Sequence, residues 1–388
     1  MNYHLTTVAK HAPKLLLLIY IIIKPFYLFH LGLPQIAEYL IVILIACHFI
    51  INRFALDFKK KNIILLWSFF LVIAVINALY AMGYALPEAL TFWWSTIFFG
   101  FNIVFFIVAK EVFKNFRALD YKWLLIACFI SLCIQFCLYL VGFDKELPNN
   151  FFGRRHLFFN NPNQLAYYTL LLVTLILLIE KKIKTFRYLI PILISLACIL
   201  IFFSSSRPVI FGIILLVIYY FIFVLNTHRL RSAILFLVPF LFVCSIHFQK
   251  VEIEFKRTFN RFARVEKNQV KEYSNRGYER IFESPKYILY GSGEGNLERF
   301  VTPKNKIKQE IHNTAANLLF SYGFVGLLLF ILFVYFSIRY LSWKQLCLFI
   351  PLVMYNMFHN GIRFSFLWLF LALAFQLNEE RKQLKILA

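Results

Sequence analysis

From Leu15 onward the chain is a succession of unbroken apolar runs, many of them 17 to 22 residues long. A hydrocarbon core of about 30 Å takes about 20 apolar residues per helix. Within it every backbone N–H and C=O must be paired inside the span. Runs of this length admit one kind of fold, an all-α polytopic membrane protein. A transmembrane barrel needs short strands that alternate apolar and polar residues, and that alternation is absent. The chain is 61% hydrophobic and 15% charged, against about 45–50% and 25% for soluble domains. Composition therefore excludes a soluble globular enzyme, and with it disordered, collagen-like and coiled-coil chains.

The pattern predicts about twelve spans, over 15–32, 35–51, 62–82, 88–109, 122–142, 163–179, 187–203, 208–225, 231–248, 313–338, 344–359 and 363–377. No linker of domain size separates them, so residues 1–388 are expected to form a single transmembrane domain. The first run lacks a small-residue cleavage site and is followed by further spans, so no cleaved signal peptide is expected. Cys47, Cys128, Cys133, Cys137, Cys198, Cys244 and Cys347 all lie in apolar runs and none forms a CxxC pair. They read as small buried hydrophobes, not as disulfides or metal ligands.

The chain carries 41 Lys and Arg against 19 Asp and Glu. In a soluble protein that surplus would suggest nucleic acid; in a membrane protein it is first sorted by loop. With the N-terminus cytoplasmic, inner segments hold 21 Lys and Arg and the short outer connections hold 5, namely Lys145, Arg154, Arg155, Arg207 and Arg363. Both termini are therefore expected in the cytoplasm, and no nucleic-acid partner is expected. The remaining long segment, 249–312, would form a large outer loop with 14 Lys and Arg; long translocated loops are largely exempt from the charge rule. Its start, 251–266, sets Phe255, Phe259 and Phe262 on one face of a basic helix suited to an anionic membrane interface. A second helical stretch, 270–283, is expected to end before Pro285. Tyr287–Tyr290 reads as a short strand and Gly291–Gly295 as a tight turn.

Transporters place ionisable residues near the midplane. Spans 2 to 12 have none near their middles, and Lys24 in the first span reads as snorkelling beside Pro25. Polar groups collect instead at the outer ends: His30, His156, His247, His312 and His359, with Glu38, Glu88, Arg154, Arg155, Arg207 and Arg363. Chemistry is thus expected at the outer face, at headgroup level. Arg154 and Arg155 precede Asn161-Pro162-Asn163, which can cap the sixth span; headgroup contact would also explain the arginines. Arg207 stands beside Pro208 at a helix start, next to free N–H groups suited to an anion such as phosphate; a plain positive stop is the alternative. Arg276 and Arg280, four apart, would share a helical face, which could equally be a solvated one. Asn313 is an expected N-cap that would hold His312 at the mouth of the bundle, where it could move a proton near neutral pH. The chain has three Asp and no DxD, so the ligands for a divalent ion are lacking and a metal-independent reaction without cofactor is expected. Zincin, Walker, GxSxG and Rossmann motifs are absent.

In order, the chain presents the arginine loop with Asn161-Pro162-Asn163, then Ser205-Ser206-Arg207, then a long outer loop with Arg276 and Gly291-Ser-Gly-Glu-Gly295, then His312-Asn313 and Gly323-Phe-Val-Gly326. This resembles the O-antigen polymerase and O-antigen ligase superfamily of bacterial envelopes, in topology over most of the chain and in motifs over about 150–330. The resemblance implies about twelve helices in the bacterial inner membrane, with a large periplasmic loop between helices 9 and 10. It implies a glycan carried on undecaprenyl pyrophosphate as substrate, and inverting, metal-independent transfer at the periplasmic face. Membrane lipid and a chain-length regulator protein are the partners it suggests. Arg207 and Arg276 match the family arginines and would hold the pyrophosphate as it leaves, with Arg280 assisting. His312 matches the family histidine and would accept the proton of the attacking hydroxyl. Arg154, Arg155, Asn163, Gly293, Asn313 and Arg363 would bind substrate or shape the site. The Gly-Glu-Gly turn with Arg299-Phe300, and Glu310–Asn313 with Phe320–Gly323, look more like the polymerase branch. The ligase, which would pass the glycan to the lipid A core, is the alternative. A transporter or flippase of lipid-linked sugar is the alternative from another class.

Overall fold

The computed structural model describes residues 2–29, 33–51, 60–147, 154–183, 185–225, 229–263, 276–301 and 310–387. All described elements are helical, and no strand occurs among the described residues. In chain order they are α1 (Asn2–Ile23), α2 (Ile36–Ile51), α3 (Lys61–Ala81), α4 (Leu86–Lys114), α5 (Ala118–Leu140), α6 (Pro162–Leu178), α7 (Leu189–Ser204), α8 (Arg207–Tyr219), α9 (Arg229–Ala263), α10 (Glu279–Glu283), α11 (Tyr287–Tyr290), α12 (Thr314–Ile338), α13 (Trp343–Cys347), α14 (Ile350–Phe358) and α15 (Ser365–Leu387). Five of the described stretches are long and apolar enough to cross a membrane: α3, α4, α5, α12, and α8 with the π-turn that continues it to Val224. A bent pair within α9 would make a sixth. Four more apolar helices are shorter, at 10–17 residues.

Three local expectations are corrected. Tyr287–Tyr290 is a helical turn, not a strand. The run 344–359 is broken into α13 and α14, with Pro351 in the first turn of the new helix, where a missing N–H costs nothing. Lys24 does not snorkel: it follows the last residue of α1, is 2% exposed and pairs with Glu38 in the first turn of α2. Phe262's side chain, His30, Gly153, and residues 264–275 of the two expected loop helices lie outside the described residues.

Contacts divide the chain into two compact units that interleave in sequence. The first comprises Met1–Ala55, Glu111–Ala263 and Ser342–Tyr355. At its centre α6 is buried from Leu165 to Leu178. The Tyr168 hydroxyl reaches Ser131 on α5 and the Ile21 carbonyl of α1. Such interhelical hydrogen bonds and close packing hold helices together where lipid is as apolar as leucine.

The second unit comprises Leu56–Lys110, Arg264–Leu341 and Asn356–Ala388. Here α3 and α12 run antiparallel: Lys61 lies over Phe336 at 4.4 Å, while Phe69 meets Phe330 at 5.4 Å and Tyr322 at 6.5 Å. Phe106, Phe333 and Trp368 extend this core with Phe106–Phe333 edge to face at 5.2 Å; such pairs contribute about 0.5–1.5 kcal/mol each beyond their buried area. At one end of the unit Lys60 pairs with Glu379 at 2.8 Å. At the other end α12 is kinked, and the kink organises the site.

Candidate functional site

The kink lies at Gly323, with φ 67° and ψ −177°, a region open in practice only to glycine. In an unbroken helix the carbonyls of Phe320 and Ser321 would receive N–H groups four residues on. Beside the kink they accept from Ser292 at 2.9 Å and Gly293 at 2.8 Å. The turn Gly291–Gly295 is thus docked on α12 by these two bonds. Gly291, at φ 76°, has no room for a side chain, since a Cβ would stand 2.7 Å from the Ser321 oxygen. Gly293 has both backbone groups engaged, its carbonyl accepting from Arg299 Nη2 at 2.9 Å.

Docking of the turn buries Glu294 to 3% exposure. Its N–H donates to Asn77 Oδ1 at 2.8 Å, and its carboxylate accepts from Asn317 Nδ2 at 2.9 Å and the Tyr322 hydroxyl at 2.8 Å. Arg363 Nη2 pairs with the same carboxylate at 2.7 Å, and Arg363 Nη1 with Glu310 Oε2 at 3.2 Å. Asn360 Nδ2 also donates to Glu310 Oε2, at 3.0 Å. Burial first, and then Glu294, push the Glu310 carboxyl up, with Arg363 opposing.

Two residues beyond Glu310, His312 donates its backbone N–H to the Arg276 carbonyl at 3.0 Å and accepts from the Tyr278 hydroxyl at 3.3 Å. The last carbonyls of a helix have no partner within it, and the end of α14 gathers this segment. Asn313 Nδ2 donates to the Met357 carbonyl at 3.0 Å, and Arg276 Nη1 to the Phe358 carbonyl at 2.9 Å. Asn313 also caps α12, its Oδ1 accepting from Ala316 N–H at 3.0 Å. The His312 ring is partly buried and faces the His359 ring at 6.1 Å. Neither ring nitrogen has a hydrogen-bond partner among the described residues. Burial, and then the Arg276 charge, lower its pKa below the ordinary 6.5. The protonated form of the ring is therefore disfavoured relative to a free imidazole.

Arg280 does not share a face with Arg276. Gly277 at φ 72° ends helical geometry between them and α10 begins only at Glu279. Arg280 is 2% exposed, its guanidinium 5.6 Å from the Phe300 ring centre. It packs beneath the turn beside Arg299, which lies over Tyr80, Phe92 and Phe300.

In the first unit, Arg154 donates from Nε to the Ser204 carbonyl at the end of α7 and from Nη2 to Asn163 Oδ1, both at 2.8 Å. Asn161, not Asn163, caps α6, accepting from Gln164 N–H at 2.9 Å. Arg155 pairs with Asp144, which also accepts the N–H groups of His156 and Leu157 at 2.9 and 2.8 Å. Ser204, Ser205 and Ser206 are buried, Ser205 at φ 49°, and Arg207 is the partly exposed first residue of α8. This unit thus gathers Arg154 and Asn163 on the same helix end that leads into Arg207.

No protein-family model matches the chain, and no curated protein matches it. What it does is read from its own residues. Sequence reading has Glu294 and Glu310 only as parts of motifs, with no site role, and does not mark Asn360 or Asn77. One signal was available for Glu294, a charge between two glycines in a tight turn, where no helix or strand requires it. Another was available for Asn77, an amide deep in the 21-residue apolar α3.

Proposed function

We propose that this chain is a surface-polysaccharide polymerase of the O-antigen type. It would move a glycan from undecaprenyl pyrophosphate onto another lipid-linked repeat unit, without metal and with inversion. In this reading about twelve spans cross the bacterial inner membrane, both termini are cytoplasmic, and loop 249–312 with its site faces the periplasm. One observation carries the reading: the His312 ring, whose nitrogens bond no described residue, is bonded by its backbone N–H to the Arg276 carbonyl, and burial first, then the Arg276 charge, disfavour its protonated form. An acceptor hydroxyl needs such a base. Its oxygen bonds to the anomeric carbon as the carbon–oxygen bond to pyrophosphate breaks. The proton passes to His312, and the electron pair leaves with the pyrophosphate. Arg276 supplies fixed positive charge for that anion, and Arg207, in the other unit, is an anion-binding residue in this reading.

The lipopolysaccharide pattern of a strain lacking the gene tests it. The expected result is lipid A core bearing one repeat unit and no ladder. A bare core with polymer accumulating on undecaprenyl pyrophosphate would make the chain a ligase instead. An unchanged ladder overturns the transfer reading for this glycan.

The pH profile adds a second check. Only neutral His312 can accept the proton, so transfer should rise with pH along a limb whose midpoint lies below 6.5. A neighbouring cation disfavours protonation. Arg276→Gln should therefore move that midpoint up toward 6.5, read from transfer rates between about pH 5 and 8. An unmoved midpoint would mean that another group titrates.

A further inference from the structure

Sequence reading gave Arg363 to the substrate, yet its two terminal nitrogens each meet a protein carboxylate, at 2.7 Å for Glu294 and 3.2 Å for Glu310. We infer that Glu294, Arg363 and Glu310 form a brace that positions His312, with Glu294 and Arg363 as positioning residues. The inference rests on the reading of His312 as the base of the transfer.

Four observations support it. Glu294 is a fixed point independently of Arg363. Its backbone is bonded to α3 through Asn77 and its carboxylate to α12 through Asn317 and Tyr322. Arg363 carries that fixity onward, because a planar guanidinium offers separate nitrogens in a rigid fork. Lysine, a single point charge on a flexible stem, would not hold two carboxylates in set directions. Glu310 receives it two residues before His312, and Asn360 holds the same oxygen from the other side. Finally Asn360 follows His359, whose ring faces that of His312. Both histidine-bearing segments are thereby tied to one guanidinium. The charges also require one another: a carboxylate as buried as Glu294 is costly without a cation, and removing one partner of such a pair is more damaging than never having had it. The turn that delivers Glu294 is docked through the Phe320 and Ser321 carbonyls, beside the Gly323 kink. The kink, the glycine turn and the brace are consecutive steps toward placing one imidazole.

The test uses full-length protein in vesicles with undecaprenyl-pyrophosphate-linked repeat units extracted from a strain lacking the gene. Glu294→Gln keeps the volume and removes the charge. Misplacement of a reacting group by about 1 Å costs roughly 100-fold. Glu294→Gln should lower kcat roughly 10- to 100-fold with KM within about twofold. In a His312→Ala background the same change should do nothing further, because its route of action is gone. Glu310→Gln, which leaves the buried Glu294–Arg363 pair intact, should act in the same direction and guards against a folding defect. A second readout needs no activity: the pH midpoint of His312 modification by diethyl pyrocarbonate, followed by mass spectrometry. Among the described residues, Arg276 and His359 are the titratable or charged groups that face His312. The wild-type midpoint is expected below 6.5, and Glu294→Gln should bring it toward that ordinary value as the ring loosens into solvent. An equal fold-loss from Glu294→Gln with and without His312, or no loss at all, overturns the brace and leaves the base intact. Full activity of His312→Ala overturns the base instead. The modification midpoint then decides the brace alone, supporting it if Glu294→Gln moves the midpoint and overturning it if not.

Discussion

Replacing His312 with Ala is expected to lower transfer by roughly 10²–10⁴-fold while the amount of folded protein stays unchanged. The separation of the two effects follows from how the residue is held. Its structural bonds are made by its backbone, to the Arg276 carbonyl and from the Tyr278 hydroxyl, and Ala keeps both. The ring, by contrast, gives no hydrogen bond to the described residues and lies beside the His359 ring. Truncation therefore removes a proton acceptor without orphaning a buried partner, the usual source of a large stability loss. Asn313→Ala is a useful contrast, since it removes the N-cap of α12 and the bond to Met357 and should lower stability by about 1 kcal/mol. The measurement is chain elongation on lipid-linked repeat units beside the yield of monodisperse protein from membranes. Full transfer by His312→Ala would remove this residue as the base.

Gly323→Ala should cause a large stability loss. The backbone there has φ 67° and ψ −177°, which costs a residue with a Cβ about 1–3 kcal/mol. The added carbon would also fall on the Leu289 carbonyl, backbone that cannot rotate away, for a similar cost through overpacking. Relief would mean straightening α12. That would disturb the docking of the glycine turn on the Phe320 and Ser321 carbonyls. Gly142 separates the two causes. It too has positive φ, at 75°, but nothing lies within 4 Å of its would-be Cβ. Gly142→Ala should therefore show the backbone part alone. Thermal unfolding midpoints in detergent should rank wild type above Gly142→Ala, and that well above Gly323→Ala. Equal shifts would mean that the ψ of −177° and the contact with Leu289 together add nothing beyond a positive φ.

Much of the local structure was legible in the sequence because its causes are local. A proline in the first turn marks α8, and Asn313 caps α12 as its spacing suggests. Where two local signals competed, the tertiary structure chose between them. Asn161 and Asn163 both suit a cap, and only the structure shows Asn161 capping while Asn163 turns to Arg154. Tyr287–Tyr290, rich in β-formers, is a helical turn because Lys286 through Gly291 close i→i+4 and i→i+3 bonds before the docked turn begins. The shared face expected of Arg276 and Arg280 failed at one residue, Gly277, whose positive φ rotates one arginine toward Phe358 and leaves the other beneath the turn.

By itself the sequence determined that the described chain is helical and apolar enough for several membrane crossings. A run of about 20 apolar residues has no other way to satisfy its backbone. It also singled out His312 and Arg276 as candidates. Only the tertiary structure decided which groups act together. Glu294, Glu310 and Arg363 are far apart along the chain, and nothing in their neighbours' spacing marks them as partners. Their pairing depends on a kink in α12, on a turn whose N–H groups donate to two carbonyls beside it, and on the burial that makes an unpaired carboxylate too costly to leave alone.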